Sequence, residues 1–249
     1  MKAFILAGGQ SLRLRPITRN MPKPLIKLDF EGNRIIDAQI LALKKHGITD
    51  INIITGFEAE KVKKHLSNRF PDTKITYIHN KEYETTYPSY AFWLAKEYLQ
   101  GPLLYINGDV VFSENILTKI ITSKHESVTA IRLGDWDEEE VNVVTDKENK
   151  ILEIGKFVSA ELSTGEFVGI TKMNTSFTEC FIQALNYFES IEERKRFAAD
   201  SINFAIQKYK GTMHIELIKN EPVIEVDTIE DYTEAKKMWK RIKKTYDIS

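Results

Sequence analysis

Ala3-Phe4-Ile5-Leu6-Ala7-Gly8-Gly9 is a continuous apolar run that stops on two glycines, and its reading decides the fold. A short run that is apolar at every position suits a strand buried on both faces of a parallel sheet. Outward from it, helix and strand patterns alternate. Ile36 to His46 carries Ile36, Ile40, Leu41 and Leu43, ends in Lys44-Lys45-His46 and is followed by Gly47, which predicts a helix with a favourable C-terminus. Ile51 to Ile54 reads as a second strand, Thr55-Gly56 as a turn, Glu58 to Leu66 as a helix and Lys74 to Ile78 as a third strand. Ser89 is placed to cap a helix bearing Phe92, Ala95 and Leu99, and Pro102 to Ile106 gives a fourth strand before Asn107-Gly108-Asp109. This alternation, up to about residue 122, predicts an α/β fold: one doubly wound, mostly parallel, Rossmann-like sheet.

Past that point the pattern changes. Val128 to Ile131, Val141 to Val144, Ile151 to Ile154 and Glu166 to Thr171 look like strands joined by short polar turns, an inserted antiparallel lobe. Helices are expected at Thr175 to Phe188, Asp200 to Lys208 and Glu230 to Lys244, with strands at His214 to Ile218 and Val223 to Val226. No repeat or long linker interrupts the 249 residues, so a single domain is expected, made of a first half (1–122) and a second half (123–249) ending in the C-terminal helix.

Composition excludes several classes. Thirty-five Lys and Arg against 36 Asp and Glu leave a net charge of −1, so no global field favours nucleic acid or an anionic membrane. No segment reaches the roughly 18 continuous apolar residues of a membrane span, and Met1 to Leu6 runs straight into a strand, so a cytoplasmic protein is expected. The lone Cys180 reads as a small core residue, and the five histidines show no metal-ligand spacing. The run Asp137 to Glu140 reads as a solvated loop, and the basic stretch Lys236 to Lys244 as an exposed helix face.

Chemistry concentrates in the first loop, Leu6-Ala7-Gly8-Gly9-Gln10-Ser11-Leu12-Arg13-Leu14-Arg15-Pro16, and in Pro22-Lys23-Pro24-Leu25-Ile26. Glycines after a buried strand let backbone N–H groups approach phosphate oxygens. Arg13, Arg15 and Lys23 match the roughly four negative charges of a triphosphate. Neither the P-loop pattern nor G-x-G-x-x-G is present. Asp109 follows a buried strand, where open α/β sheets place ligands, and Asp227 is a second carboxylate for a magnesium ion. The competing roles are a turn-forming Asn-Gly-Asp for Asp109 and a helix N-cap for Asp227.

These segments resemble the signature of the sugar-phosphate and choline-phosphate nucleotidyltransferase family, Leu-Ala-Gly/Ala-Gly-x-Gly-Thr/Ser-Arg-Leu-x-Pro followed by Pro-Lys-x-Leu. The likeness continues through Gly47-Ile48, Thr55-Gly56-Phe57, Asn107-Gly108-Asp109 and Glu225-Val226-Asp227-Thr228-Ile229-Glu230-Asp231. Ser11 replaces a usual glycine and Leu12 a usual Thr or Ser, so Ser11 carries strain if its φ must be positive. The resemblance implies transfer of a nucleoside monophosphate to a phosphorylated acceptor with release of pyrophosphate. It implies catalytic roles for Arg13 and Lys23, and Mg²⁺ (or Mn²⁺) on Asp109 and Asp227. Nucleotide contacts are expected from Leu6, Ala7, Gly8, Gly9, Gly56, Asn80, Thr86, Ser89 and Gly108.

Asn80 followed by Thr85-Thr86-Tyr87-Pro88-Ser89-Tyr90 resembles the cytidylyltransferase branch, which favours CTP. Asn80 and Ser89 are candidates to meet a pyrimidine edge, although Ser89 serves equally as an N-cap. Lys156, Glu166 and Gly169 lie in segments that resemble the family's acceptor lobe: Lys156 for the acceptor phosphate, Glu166 for an ammonium or hydroxyl group. An exposed strand-end lysine and a solvated glutamate are the plainer alternatives. Asp200 reads best as a helix-start carboxylate, Trp93 as core, and Trp136 has no clear place. The partners expected are a nucleoside triphosphate and a small acceptor, with the chain a monomer or homodimer. The rivals are a sugar-1-phosphate nucleotidyltransferase using UTP, dTTP or GTP, and a non-catalytic nucleotide sensor, which retention of Arg13, Lys23 and both aspartates disfavours.

Overall fold

The computed structural model describes residues 1–133 and 140–246. In chain order the elements are β1 (Lys2–Ala7), α1 (Ile35–Lys45), β2 (Ile51–Thr55), α2 (Ala59–Arg69), β3 (Ile75–His79), α3 (Pro88–Leu94), β4 (Leu103–Asn107), β5 (Val110–Phe112) and α4 (Glu114–Thr122). There follow β6 (Val128–Arg132), β7 (Asn142–Thr145), β8 (Ile151–Gly155), β9 (Gly165–Met173), α5 (Thr175–Ser190), α6 (Ala198–Tyr209), β10 (His214–Ile218), β11 (Val223–Glu225) and α7 (Ile229–Ile242). Trp136 and Asp137 to Glu139, singled out above, lie outside the described residues.

The chain forms two compact units, and they are interleaved rather than consecutive halves divided near residue 122. One comprises Lys2–Glu84, Ile106–Thr118 and the chain from Glu221 onward; the other comprises Thr85–Tyr105 and Lys119–Asn220. Local periodicity reports each strand's burial but not which distant segment completes a core, so the interleaving left no sequence signal.

In the first unit β1, β2 and β3 pair in parallel, with Ile5 opposite Ile53 and Ile53 opposite Tyr77. Ala3, Phe4 and Ile5 are fully buried, as the apolar run requires. Burying each large side chain of this kind contributes about 1.5–3 kcal/mol. Helix α2 turns Ala59, Val62 and Leu66 inward at helical spacing, and α1 buries Ile35, Ile36, Ile40 and Leu43. The short β5 pairs antiparallel with β11, Val110 opposite Glu225. Helix α7 starts at a capping box: Thr228 Oγ1 accepts from Asp231 N at 3.1 Å and Asp231 Oδ2 accepts from Thr228 N at 2.8 Å. The N-cap is therefore Thr228, and Asp227 is left for another purpose.

In the second unit β6 lies between β10, parallel, and β9, antiparallel, while β7 pairs antiparallel with both β8 and β9. This is the antiparallel lobe expected from the sequence. Gly169 has φ +69° where the β6–β9 register shifts, a bulge that asks for a residue tolerant of the left-handed region. Helix α3 is shorter than predicted: Tyr87 is its N-cap, Pro88 its first residue, and a 3-10 turn, Lys96–Tyr98, follows. Proline at the first helical position fixes that start, which displaces Ser89 from the cap. Asp200 does cap α6, accepting from Phe197 N at 2.7 Å. Phe92 packs edge-on against Tyr105 and Phe181 in this unit's core, while Trp93, only partly buried, stacks on Tyr90.

Candidate active site

The loop after β1 adopts the strained form that Ser11 foreshadowed. Ser11 has φ +50°, and its carbonyl accepts from Leu14 N at 3.1 Å and from the buried Thr18 hydroxyl at 2.7 Å. A non-glycine residue in the left-handed region persists only when its surroundings hold it, and these two bonds do so. Gly108 explains itself by packing: a Cβ there would overlap the Leu6 carbonyl oxygen. Gly56 is likewise a contact glycine, since a Cβ would sit 2.6 Å from both Gly8 O and Tyr83 Cβ. Both glycines let the ends of strands lie close, a reason separate from any ligand.

Four segments converge on one cleft of about 240 Å³, lined by Leu6, Ala7, Gly9, Ser11 and Arg13 from the first loop, Lys23 and Pro24, Gly108 and Asp109, and Asp227. The β5–β11 pair brings the carboxylates together, and Val226 N donates to Asp109 O at 3.1 Å. The fully buried Gln39 of α1 clamps the turn between β4 and β5 by donating to Asn107 O at 2.8 Å and Val110 O at 2.9 Å. Lys23 Nζ bridges Asp109 Oδ2 at 2.9 Å and Asp227 Oδ1 at 2.6 Å. Arg13 Nη2 reaches Asp227 Oδ2 at 3.1 Å with its side chain still 61% exposed.

The electrostatics follow from this geometry. Burial pulls the Lys23 pKa down, but Asp109 and Asp227 outweigh it and hold the ammonium above its ordinary value. A third acid, Glu225, completes the cluster. Burial first, then the like charges of Asp109 and Asp227, push its pKa well above the carboxylate range, although Lys23 draws it down. Asn107 Nδ2 donates to Glu225 Oε1 at 3.2 Å.

Glu225 closes the short strand β11 and has no local sequence signature; its pairing with β5, Val110 opposite Glu225, is what brings it beside Asp109. The cluster suits a hard divalent cation. Among the described residues Asp109 Oδ1 is buried with no hydrogen-bond partner, and a set of carboxylate oxygens without sulfur or imidazole is the donor chemistry magnesium takes.

Of the other expected contacts, Gly8 adjoins the cleft and accepts from Phe57 N at 3.0 Å. Asn80 is buried after β3, and its side-chain oxygen accepts from Glu82 N at 2.9 Å. Ser89 and Thr86 belong to the other unit. The Ser89 hydroxyl donates to Phe197 O at 2.7 Å and meets Ser201 Oγ at 2.6 Å, which holds α3 to α6.

Lys156, Glu166 and Gly169 also lie in the second unit. Lys156 is exposed, with its ammonium 5.0 Å from the Phe197 ring centre. Glu166 is buried and already paired: Arg132 Nε and Nη2 donate to its Oε2 at 3.0 and 2.5 Å. A substrate ammonium would have to compete with that guanidinium, which the sequence pattern did not reveal. Cys180 is half-buried, and its thiol makes only a long contact to Tyr209 O at 3.6 Å.

A cation pair over three carboxylates, set beside a glycine loop at the carboxyl end of a parallel strand, is machinery for a polyphosphate. The chain belongs to the nucleotidyl transferase family, which it matches over residues 2–158. It is similar to the CTP:phosphoglutamine cytidylyltransferase of Campylobacter jejuni subsp. jejuni serotype O:2, with 25% identity over 245 residues covering 91% of this chain and 93% of that protein. It is also similar to the choline-phosphate cytidylyltransferase of Streptococcus pneumoniae, 28% identical over 242 residues, 89% of this chain and all of the other. The solved CTP:phosphocholine cytidylyltransferase from Streptococcus pneumoniae shares the fold with a TM-score of 0.80 at 22% identity, over 95% of this chain and 98% of that one. Among the described residues no helix is long and apolar enough to cross a membrane.

Proposed function

We propose that this chain transfers the cytidylyl group of CTP to a small phosphorylated acceptor and releases pyrophosphate, with Arg13, Lys23, Asp109, Asp227 and Glu225 as its working residues. The observation that carries the reading is the Lys23 bridge between Asp109 and Asp227 in the cleft of the first loop. CTP is favoured because two relatives that match along nearly their whole length are cytidylyltransferases, and because Gly56 and Asn80 follow the ends of β2 and β3, where such sheets receive a base.

An acceptor phosphate oxygen attacks the α-phosphorus; a new P–O bond forms, the bond to the β-phosphate breaks, and pyrophosphate leaves with the electron pair. The acceptor is already ionised, so no general base is required. Catalysis is positioning and charge neutralisation. Arg13, exposed and held at Asp227, takes the β- and γ-phosphates and steadies the departing charge. Lys23 passes from its carboxylates to the α-phosphate. Asp109, Asp227 and Glu225 would hold Mg²⁺, which supplies Lewis-acid neutralisation of phosphate charge.

Pyrophosphate release tests the reading, with CTP, UTP, dTTP and GTP each offered with choline phosphate, an amino-acid amide phosphate, inositol phosphate and glucose 1-phosphate. Best turnover is expected with CTP and a non-hexose phosphate. Equal or better turnover with UTP or dTTP and glucose 1-phosphate would move the assignment to the sugar-nucleotide branch.

A further inference from the structure

A second cavity, of about 380 Å³, lies in the unit that carries β1 to β3 and shares no lining residue with the first-loop cleft. Its walls bring together Arg34, Lys61, Lys64 and His65, with Asn20 and Asn68 beside them. Two acids are bonded to members of this set. The buried Asp37 shares a hydrogen with His65 Nε2 at 2.6 Å and accepts from Arg34 N at 2.9 Å, and Glu58 sits 3.1 Å from the Lys61 ammonium. Arg34, Lys61 and Lys64 thus outnumber the two carboxylates bonded to this set, Asp37 and Glu58.

The donors are only partly used. Arg34 Nη1 donates to the Leu25 carbonyl and lies 3.5 Å from Met21 Sδ, whereas its Nε is buried with no hydrogen-bond partner among the described residues. Lys61 donates to Asn20 O at 2.6 Å. Lys64 stands exposed on α2, one residue from His65 and one turn from Asn68, and forms no ion pair or hydrogen bond among the described residues. A buried guanidinium N–H without an acceptor, an unpaired ammonium and side-chain amides around one hollow are complementary to a tetrahedral oxyanion that accepts several bonds at once.

We propose that this cleft is a second anion site, distinct from the nucleotide cleft, that takes a small phosphate monoester with its dianion on Arg34, Lys61 and Lys64. Its volume leaves room for a short organic group beyond the phosphate.

Amide NMR of the full chain reads the two clefts separately, with inorganic phosphate and glycerol 3-phosphate as probes and glycerol as control. The expected result is saturable shifts at Asn20, Lys64 and Asn68 with both phosphates and none with glycerol. Tighter binding of glycerol 3-phosphate would mark a monoester site; tighter binding of inorganic phosphate would overturn the monoester assignment. Lys64→Glu should weaken those shifts roughly tenfold or more, as loss of a charge-assisted bond does, while CTP-induced shifts at Gly9 and Arg13 stay unchanged. Lys64→Gln, a milder change at the same exposed position, serves if the reversal disturbs folding. Absence of saturable shifts at the three amides, or affinity unaltered in both Lys64 variants, would overturn the site.

Discussion

Replacing Lys23 by methionine keeps much of the side-chain volume and removes the charge that holds Asp109 and Asp227 together. Lys23 is 9% exposed, against 25% for Asp109 and 36% for Asp227. Taking one partner from a fully buried ion pair costs about 3–5 kcal/mol, because the other charge stays buried and unpaired. Both aspartates keep some access to water, which lowers the figure to about 2–3 kcal/mol. At 2–4 °C per kcal/mol for a chain of this size, Tm should fall by roughly 4–12 °C in EDTA. A divalent cation should then restore more stability to the variant than to the wild type, since it meets three acids with no ammonium to displace. Saturation at about a hundred times Kd contributes about 2.7 kcal/mol. Differential scanning calorimetry in EDTA and in Mg²⁺ measures both quantities. A variant with unchanged Tm in EDTA, or one that gains no more from Mg²⁺ than the wild type, would refute the account of Lys23 as the brace of an acidic cluster.

Arg13→Ala should lower kcat by about two to four orders of magnitude with little change in Tm, because the arginine meets charge that develops on the leaving group; steady-state kinetics and a melt on one preparation decide it. Glu225 binds its proton more tightly folded than unfolded, so the stability it confers is complete below the ordinary carboxylate pKa and is lost as pH rises through its raised folded value. Glu225→Gln should therefore stabilise the metal-free protein at neutral pH but not in mild acid, and should weaken Mg²⁺ stabilisation; melts across pH, with and without the cation, test this. Gly108→Ala should destabilise by about 1–3 kcal/mol or more, since its Cβ would overlap the Leu6 carbonyl, and denaturant unfolding measures the loss. Lys156→Ala should raise KM for the acceptor and leave KM for the nucleotide unchanged.

The first-loop site was legible because its determinants are contiguous. A strand, two glycines, a strained Ser11 and the following cations sit within one short stretch, and the distant carboxylates each follow a strand end. Glu225 was harder, since one acid at the end of a three-residue strand has no local signature, and only pairing with β5 shows that it joins Asp109. Ser89 shows the opposite failure. The residue type fits a cap or a base contact, yet Pro88 sets the helix start and Ser201, far along the chain, takes the hydroxyl. Glu166 was expected to meet an ammonium or hydroxyl group or else to stand solvated, and it is buried against a guanidinium on the neighbouring strand β6. In each case the deciding partner is remote in sequence, where neither periodicity nor motif spacing reaches.

Nucleotidyl transfer in the first-loop cleft, as proposed, depends on Asp109 and Asp227. Pyrophosphate release from CTP and an acceptor mixture, measured with Mg²⁺ for the wild type, Asp109→Asn and Asp227→Asn, tests it most directly. The account predicts turnover by the wild type that EDTA abolishes, and loss of most of it in each variant while the fold is kept. Wild-type turnover in excess EDTA, or an Asp227→Asn enzyme that works normally, would contradict it.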